Sequence, residues 1–215
     1  MTELLLDLEN VIPDPGIEAG VLRYDARAAL ASVTDTSKVI TEAISGNYSL
    51  RVSCSANGNA ATSGAAIAVA WRAPAQPGDT WSGAAAAANI TPGLMARLRI
   101  RFLDASLAVL SDDSDNTDAN ERLVREGLVA PSLTTQVELA VCLALNGTAG
   151  AVGQAVFDEL MLVESPTIVD WFDGDSGNAE WTGPRRQSTA RRRGEADSLE
   201  QIREWMPPYW YSDPA

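Results

Sequence analysis

Histidine is absent from this chain of 215 residues. That removes the commonest general base, the Ser-His and Cys-His nucleophile pairs, and the usual zinc and iron sites. Catalysis would have to rest on paired carboxylates, so the chain is expected not to be an enzyme. Positive charge is scarce as well: the formal net charge is -13. Most of such a surface repels nucleic acid, whose affinity comes largely from Lys and Arg neutralising phosphates. The two cysteines, Cys54 and Cys142, are too few for a disulfide framework. Both lie in strand-like apolar runs, SLRVSCSA and VELAVCLAL, where they read as buried thiols acting as small hydrophobes, with a disulfide as the alternative. No run approaches the roughly 20 apolar residues that a membrane span needs. The opening MTELLLDLEN has neither a basic n-region nor a long apolar core, so no secretion signal is expected.

What is present is enough apolar material for a real core, 46% of the chain, arranged in short strand-like runs. Tyr48–Cys54 alternates cleanly, with Tyr48, Leu50, Val52 and Cys54 on one face. Met95–Leu103 sets Met95, Arg97, Arg99 and Arg101 against Ala96, Leu98, Ile100 and Leu103, and Leu107–Leu110 completes a hairpin across Asp104–Ser106. Ala66–Trp71, Thr135–Leu145 and Gln154–Val163 also read as strands, and Leu4–Leu8 and Val21–Val33 as weaker ones. Thr80–Ile90 contains the alanine run Ala84–Ala88, which propensity alone makes helical. Its bracketing by PAQPGD and Thr91-Pro92-Gly93 favours a strand, one that would present a flat face with little bulk. Asp112–Asn120, DDSDNTDAN, reads as a polar acidic loop, and Glu121–Val129 is ambiguous between helix and strand. Eight to ten short strands with regular turn signals and no βαβ unit point to an all-β fold, an antiparallel jelly roll or β-sandwich, over residues 1–164.

The character changes after Glu164. Ser165-Pro166 breaks the last strand, and Asp170–Gly183, DWFDGDSGNAEWTG, is acidic and rich in glycine and aromatic residues. Five arginines follow: Arg185, Arg186, Arg191, Arg192 and Arg193. Glu195–Met206 spaces Leu199, Ile202 and Met206 as a short amphipathic helix, and Pro207-Pro208 ends it before Tyr209, Trp210 and Tyr211. Residues 165–215 therefore read as a C-terminal tail for attachment or oligomerisation, with a tail folded back on its own sandwich as the alternative; Trp171, Phe172 and Trp181 are expected to pack their stretch against the body, and Asp173 and Asp175 to stabilise its turn.

Three stretches resemble one family. NVIPDPGIE over Asn10–Glu18 is similar to the opening of the jelly-roll carbohydrate-binding modules appended to glycan-degrading enzymes. SGNYSLRV over Ser45–Val52 resembles one of their strands, and FDELML over Phe157–Leu162 their closing strand. The resemblance implies that the opening loop lies beside the closing strand, with a structural calcium between them. Glu18 and Asp158 would be its oxygen ligands; the alternative is that these two acids satisfy loop amides. No other cofactor is implied. WFDGDSGNAEWTGPRRQST over Trp171–Thr189 is similar to a segment of minor tail proteins from bacteriophages of actinobacteria, although Pro184-Arg185-Arg186 stands where that family has Thr-Pro-His. This second resemblance implies a virion tail component, made in the host cytoplasm, that contacts other tail proteins and self-associates, most plausibly as a trimer.

Candidate chemistry follows from the rings and charges. Trp71 and Trp81 are rings available to stack on a sugar and are the glycan-binding candidates, but their strands favour a core or interface place. Asp112, Asp113, Asp115 and Asp118 are the densest acidic cluster. In a polar loop they read as solvated charges, and their spacing is not that of an EF-hand. The arginines of residues 185–193 suit contact with phosphate-bearing wall polymers, contact with an acidic neighbouring subunit, or a solvated linker; subunit contact is favoured. Trp205, Tyr209, Trp210 and Tyr211 are the rings expected to be buried in a partner. The expected role is a virion structural protein with possible attachment to host-surface glycan; the alternative is a glycan-binding module with no structural role.

Overall fold

The computed structural model describes residues 8–13, 15–17, 35–39, 43–54, 66–146, 152–183, 185 and 189–192. Every regular element among them is a strand. In chain order these are β1 (Leu8–Asn10), β2 (Asp35–Val39), β3 (Ser49–Cys54), β4 (Ala66–Pro74), β5 (Thr80–Ala88), β6 (Leu94–Leu103), β7 (Val109–Thr117), β8 (Glu121–Val129), β9 (Gln136–Leu145), β10 (Gly153–Glu164), β11 (Ala179–Trp181) and β12 (Ala190–Arg192). A five-stranded sheet runs β2-β3-β10-β5-β8 and a four-stranded sheet β4-β9-β6-β7, with all pairs antiparallel. Their inner faces make one core. Leu50, Val52, Trp81, Leu123, Phe157 and Leu162 come from the first sheet, and Trp71, Leu98, Ile100, Phe102, Leu139 and Val141 from the second. This is the antiparallel jelly-roll sandwich expected from the period-2 patterning.

The alanine run is a strand because both of its faces are crowded. On the inner side a Cβ on Gly83 would sit 2.8 Å from Ile100 Cδ1 and 3.1 Å from Leu139 Cδ1, so β5 passes close to the opposite sheet. Ala85 and Ala87 join the core. Ala84 faces outward into a second apolar cluster with Met161 and Val163. Small side chains suit such a strand, and tertiary packing overrides the helical propensity of alanine.

One expectation needs correcting. Asp112–Asn120 is not a loop: most of it is strand β7, paired with β6 from Leu103↔Val109 to Ala96↔Thr117. Its polar side chains are met across the strands. Arg99 holds Asp112, Arg97 donates to Asn116, and Arg125 pairs with Asp113 at 2.8 Å. The Val124 amide donates to Asp115. An edge strand satisfied in this way needs no apolar alternation. Glu121–Val129 resolves as strand, paired with β5.

After residue 164, Trp171, Phe172 and Trp181 pack against the body as expected. The described part of the expected tail folds back on the body. β12 pairs with β1 near the opposite end of the chain, and β11 pairs with β12. Phe172, Ala190 and the partly buried Trp171 and Trp181 cover Ala84, Met161 and Val163 on the outer face of the five-stranded sheet. The helix expected over Glu195–Met206, the strand expected over Val21–Val33 and most of Leu4–Leu8 lie outside the described residues. Among the described residues no helix is long and apolar enough to cross a membrane.

Candidate functional site

Asn10 and Asp158 organise the ground on which the candidate site stands. β10 carries a bulge after Asp158, with Glu159 at φ 50, and bulges leave backbone groups unpaired. The opening loop supplies the partners. Leu160 N–H donates to Pro15 O at 3.0 Å, and Asn10 Nδ2 donates to Leu160 O at 3.0 Å. Asn10 Oδ1 accepts from the amides of Leu162 (3.1 Å) and Ile12 (3.3 Å). The opening loop and closing strand therefore do lie side by side. Asn10 was legible only as the first letter of the NVIPDPGIE motif.

Asp158 alternates with the core residue Phe157 and so turns to the outer face, opposite Ala86. It is buried and surrounded by donors. Oδ2 accepts from Ser45 N–H (2.9 Å), Ser49 Oγ (3.0 Å) and Ser45 Oγ (3.3 Å), and Oδ1 from Glu159 N–H (2.7 Å). Burial pushes its carboxyl up to about 6, against the pull of these donors toward the charged form. Hydrogen-bond donors aimed at both oxygens fit a carboxylate that satisfies backbone amides. Glu18, the other expected calcium ligand, lies outside the described residues.

These bonds fix the loop 43–49, since Ile44 N–H also donates to Ser49 Oγ at 3.0 Å. Between that loop and the turns at Asn89 and Asn120 lies a groove of about 470 Å³. Ala86, Ala87 and Ala88 line it from β5, Ala43 and Ile44 from the loop, and Asn89, Asn120 and Glu121 from the far rim. The far rim is tied together by Asn89 N–H donating to Asn120 Oδ1 at 3.0 Å. The groove offers an apolar floor, an exposed Ile44 and a polar rim of two amides and a carboxylate. Such a rim can exchange hydrogen bonds with hydroxyl groups. Glu121 is the one carboxylate among its described lining residues, whereas glycoside hydrolysis ordinarily takes a pair.

The glycan-binding candidates are elsewhere. Trp71 is 6% and Trp81 3% exposed, both in the core. An indole packed between the sheets has no free face to lay on a sugar ring, so the core reading of both residues holds and the platform reading is corrected. The groove was missed as a site because its residues come from three separated stretches; the flat alanine strand was its only signal.

Asp173, Asp175 and Trp181 build a turn within residues 170–183. Asp173 Oδ1 accepts from Asp175 N–H (3.0 Å) and Ser176 Oγ (2.8 Å), an Asx turn. A Cβ on Gly174 would lie 2.2 Å from Trp181 Cγ, so the glycine makes room for the indole. Asp175 accepts from Trp181 Nε1 at 3.1 Å and takes a bidentate pair from Arg185 at 2.8 and 2.9 Å. Of the arginine cluster, Arg185 is thus held by its own chain, Arg191 lies 4.0 Å from Glu9, and Arg192 sits on β12 opposite Leu8. Arg186, Arg193, Trp205, Tyr209, Trp210 and Tyr211 lie outside the described residues. Cys142 is a free, buried thiol, pushed up to about 12 by that burial.

No protein-family model matches the sequence, and no curated protein is similar to it. Among solved structures, the chain is similar to the enzymatically active domain of tailspike protein 4 of bacteriophage CBA120. The TM-score is 0.50 at 14% identity, over 71% of this chain and 21% of that one, so the match spans about a fifth of the tailspike chain. A xylan-binding domain of carbohydrate-binding module family 22 has a TM-score of 0.46 at 15% identity, over 78% of this chain and 99% of that one. TmCBM61, solved with β-1,4-galactotriose, has a TM-score of 0.46 at 13% identity, over 73% and 99%. At such identities a likeness describes the fold and nothing finer.

Proposed function

We propose that this chain is a non-catalytic glycan-binding jelly roll that serves as a minor tail or tail-tip component of a virion. The observation that carries the binding half is the groove over Ala86–Ala88, with a rim of Asn89, Asn120 and Glu121. An apolar floor with convergent amide and carboxylate groups is the composition of a small-ligand cleft. The virion half is supported by the resemblance of WFDGD…WTG to phage minor tail proteins. The jelly roll of this chain also has a fold counterpart in a phage tailspike domain. The same resemblance supports self-association as a trimer, and the arginines of residues 185–193 with Trp205, Tyr209, Trp210 and Tyr211 support contact with other tail proteins.

Two experiments test the two halves. On a glycan array, Asn120→Ala with Glu121→Gln is expected to weaken the bound glycan at least about tenfold, the loss of some 1.4 kcal/mol. Trp71→Phe is expected to leave binding in place. Unchanged binding in the groove variant overturns the groove as the site. For the virion half, the chain is expected to co-purify with assembled particles and to run as a trimer in light scattering; its absence from particles rejects that reading.

A further inference from the structure

Asn89, Asn120 and Glu121 at the far rim of the groove are exposed, and their side chains are almost free of partners. Asn120 Oδ1 accepts from Asn89 N–H at 3.0 Å, and among the described residues that is the one hydrogen bond made by any of the three side chains. A carboxamide sets its oxygen and nitrogen apart, so the bond at Oδ1 leaves Asn120 Nδ2 as an open donor. Asn89 and Glu121 bring open acceptors. The rim can therefore give one hydrogen bond and take another at the same time.

The floor restricts what sits beside that rim. Ala85 and Ala87 are in the core, so alternation turns Ala86 and Ala88 outward. These two residues and the exposed Ile44 give the groove of about 470 Å³ its apolar surface. No aromatic side chain is among its described lining residues, and an aromatic face is what ordinarily supplies apolar contact to a flat sugar ring. Apolar contact must here come from a group of methyl size laid on small side chains. Charge restricts the ligand further. Glu121 stands in the lining and the chain carries a net charge of -13, so carboxylated and phosphorylated glycans are repelled.

We propose that the groove recognises the acetamido group of a neutral N-acetylated glycan, an inference that rests on the reading of the groove as the glycan site. An acetamide joins a methyl group, a carbonyl acceptor and an N–H donor in one small unit. The methyl group fits over Ala86 and Ala88, the carbonyl accepts from Asn120 Nδ2, and the N–H donates to an oxygen of Asn89 or Glu121. A hydroxyl at the same place on the sugar brings no methyl group to the floor and leaves part of the rim unpaired. A deoxy sugar brings a methyl group but no amide.

The test titrates the full chain with tri-N-acetylchitotriose and with cellotriose, which has the same β-1,4 backbone but a hydroxyl in place of each acetamido group. The acetylated trisaccharide is expected to bind at least about tenfold more tightly. Asn120→Asp keeps an acceptor for Asn89 N–H and removes the donor. It is expected to weaken acetylated binding about tenfold or more while the melting temperature is unchanged. The ligand is uncharged, so the added charge does not by itself account for that loss. Ala88→Val, a residue that strands accept, is expected to remove the advantage of the acetylated ligand by filling the floor. Cellotriose bound as tightly as tri-N-acetylchitotriose, binding of neither, or acetylated binding unchanged in Asn120→Asp overturns the acetamide. Cellotriose binding that is lost in Asn120→Ala with Glu121→Gln would keep the groove as a glycan site while the acetamide falls. Acetylated binding that persists in that double variant overturns the groove itself, and this proposal with it.

Discussion

The five-stranded sheet turns Ala84, Met161 and Val163 outward, whereas the four-stranded sheet turns Arg72, Arg97, Arg99 and Arg101 outward. The first face is apolar and has to be covered. Phe172, Trp171, Trp181 and Ala190 cover it around Ala84, Met161 and Val163, and the stretch at Ala86–Ala88 is left as the floor of the groove. The second face needs no such lid, because Arg97 and Arg99 stand opposite Cys142 and Ala140 on β9, and Glu138 and Asp112 pair Arg72, Arg101 and Arg99 across the strands. One sheet is finished by chain folded back onto it and the other by cross-strand charge. The specific WFDGD…WTG motif is therefore a packing device first: Phe172 fills, Gly174 yields to Trp181, and Asp175 ties Trp181 to Arg185.

The sharpest way to break the contrast is to damage each face by its own means. Phe172→Ala should cost about 3–5 kcal/mol in denaturant unfolding, from lost burial and the cavity left behind. Gly174→Ala should cost about 1–3 kcal/mol through overpacking against a rigid indole. On the other face Glu138→Gln should cost about 3–5 kcal/mol, because Arg72 and Arg101 lose their buried counter-charge. A neutral result for Glu138→Gln would mean that the arginine face is held by its hydrocarbon stems and not by charge.

Asp158→Asn sits between the faces in size. An amide nitrogen would meet one of the two backbone donors that Asp158 now accepts, costing about 1–3 kcal/mol and loosening the loop 43–49 that walls the groove. Its pH dependence has a defined sign. The native carboxyl is held at about 6, above its ordinary 3.8, so the folded state binds this proton more tightly than the unfolded chain. The contribution of the proton is full below about 3.8 and is lost as pH rises through about 6. The melting temperature of wild type relative to Asp158→Asn should therefore rise as the pH is lowered through that window; a flat difference would reject a raised native carboxyl. Calcium at millimolar concentration should leave the melting temperature unmoved, and an increase would show that Asp158 accepts a cation after all. Arg185→Ala should have the smallest effect, leaving the melting temperature essentially unmoved, because the guanidinium is 67% exposed and its pair with Asp175 is screened by water.

Much of the body was legible because burial on one face leaves a period of two. Tyr48–Cys54, Met95–Leu103 and Gln154–Val163 declare themselves in that way, and Leu50, Val52, Leu98 and Ile100 are in the core as the pattern requires. β7 was illegible because its polar side chains are satisfied by Arg97, Arg99 and Arg125, two strands' worth of partners that no local pattern reveals. The groove was illegible for a related reason: Ile44, Ala86 and Asn120 converge only after the strands have paired.

By itself the sequence determined the all-β class, the strand periods, the lack of histidine chemistry and the place where the last long strand ends. Those properties follow from composition and local alternation, which are read one residue after another. The tertiary structure decided that Trp71 and Trp81 are core, that Asp158 clamps a loop by accepting from Ser45 and Ser49, and that β12 returns to pair with β1 beside the docked Phe172. Each of these depends on which distant strand lies alongside, and pairing over such sequence separations is set by the fit of the whole sandwich, which no single stretch encodes.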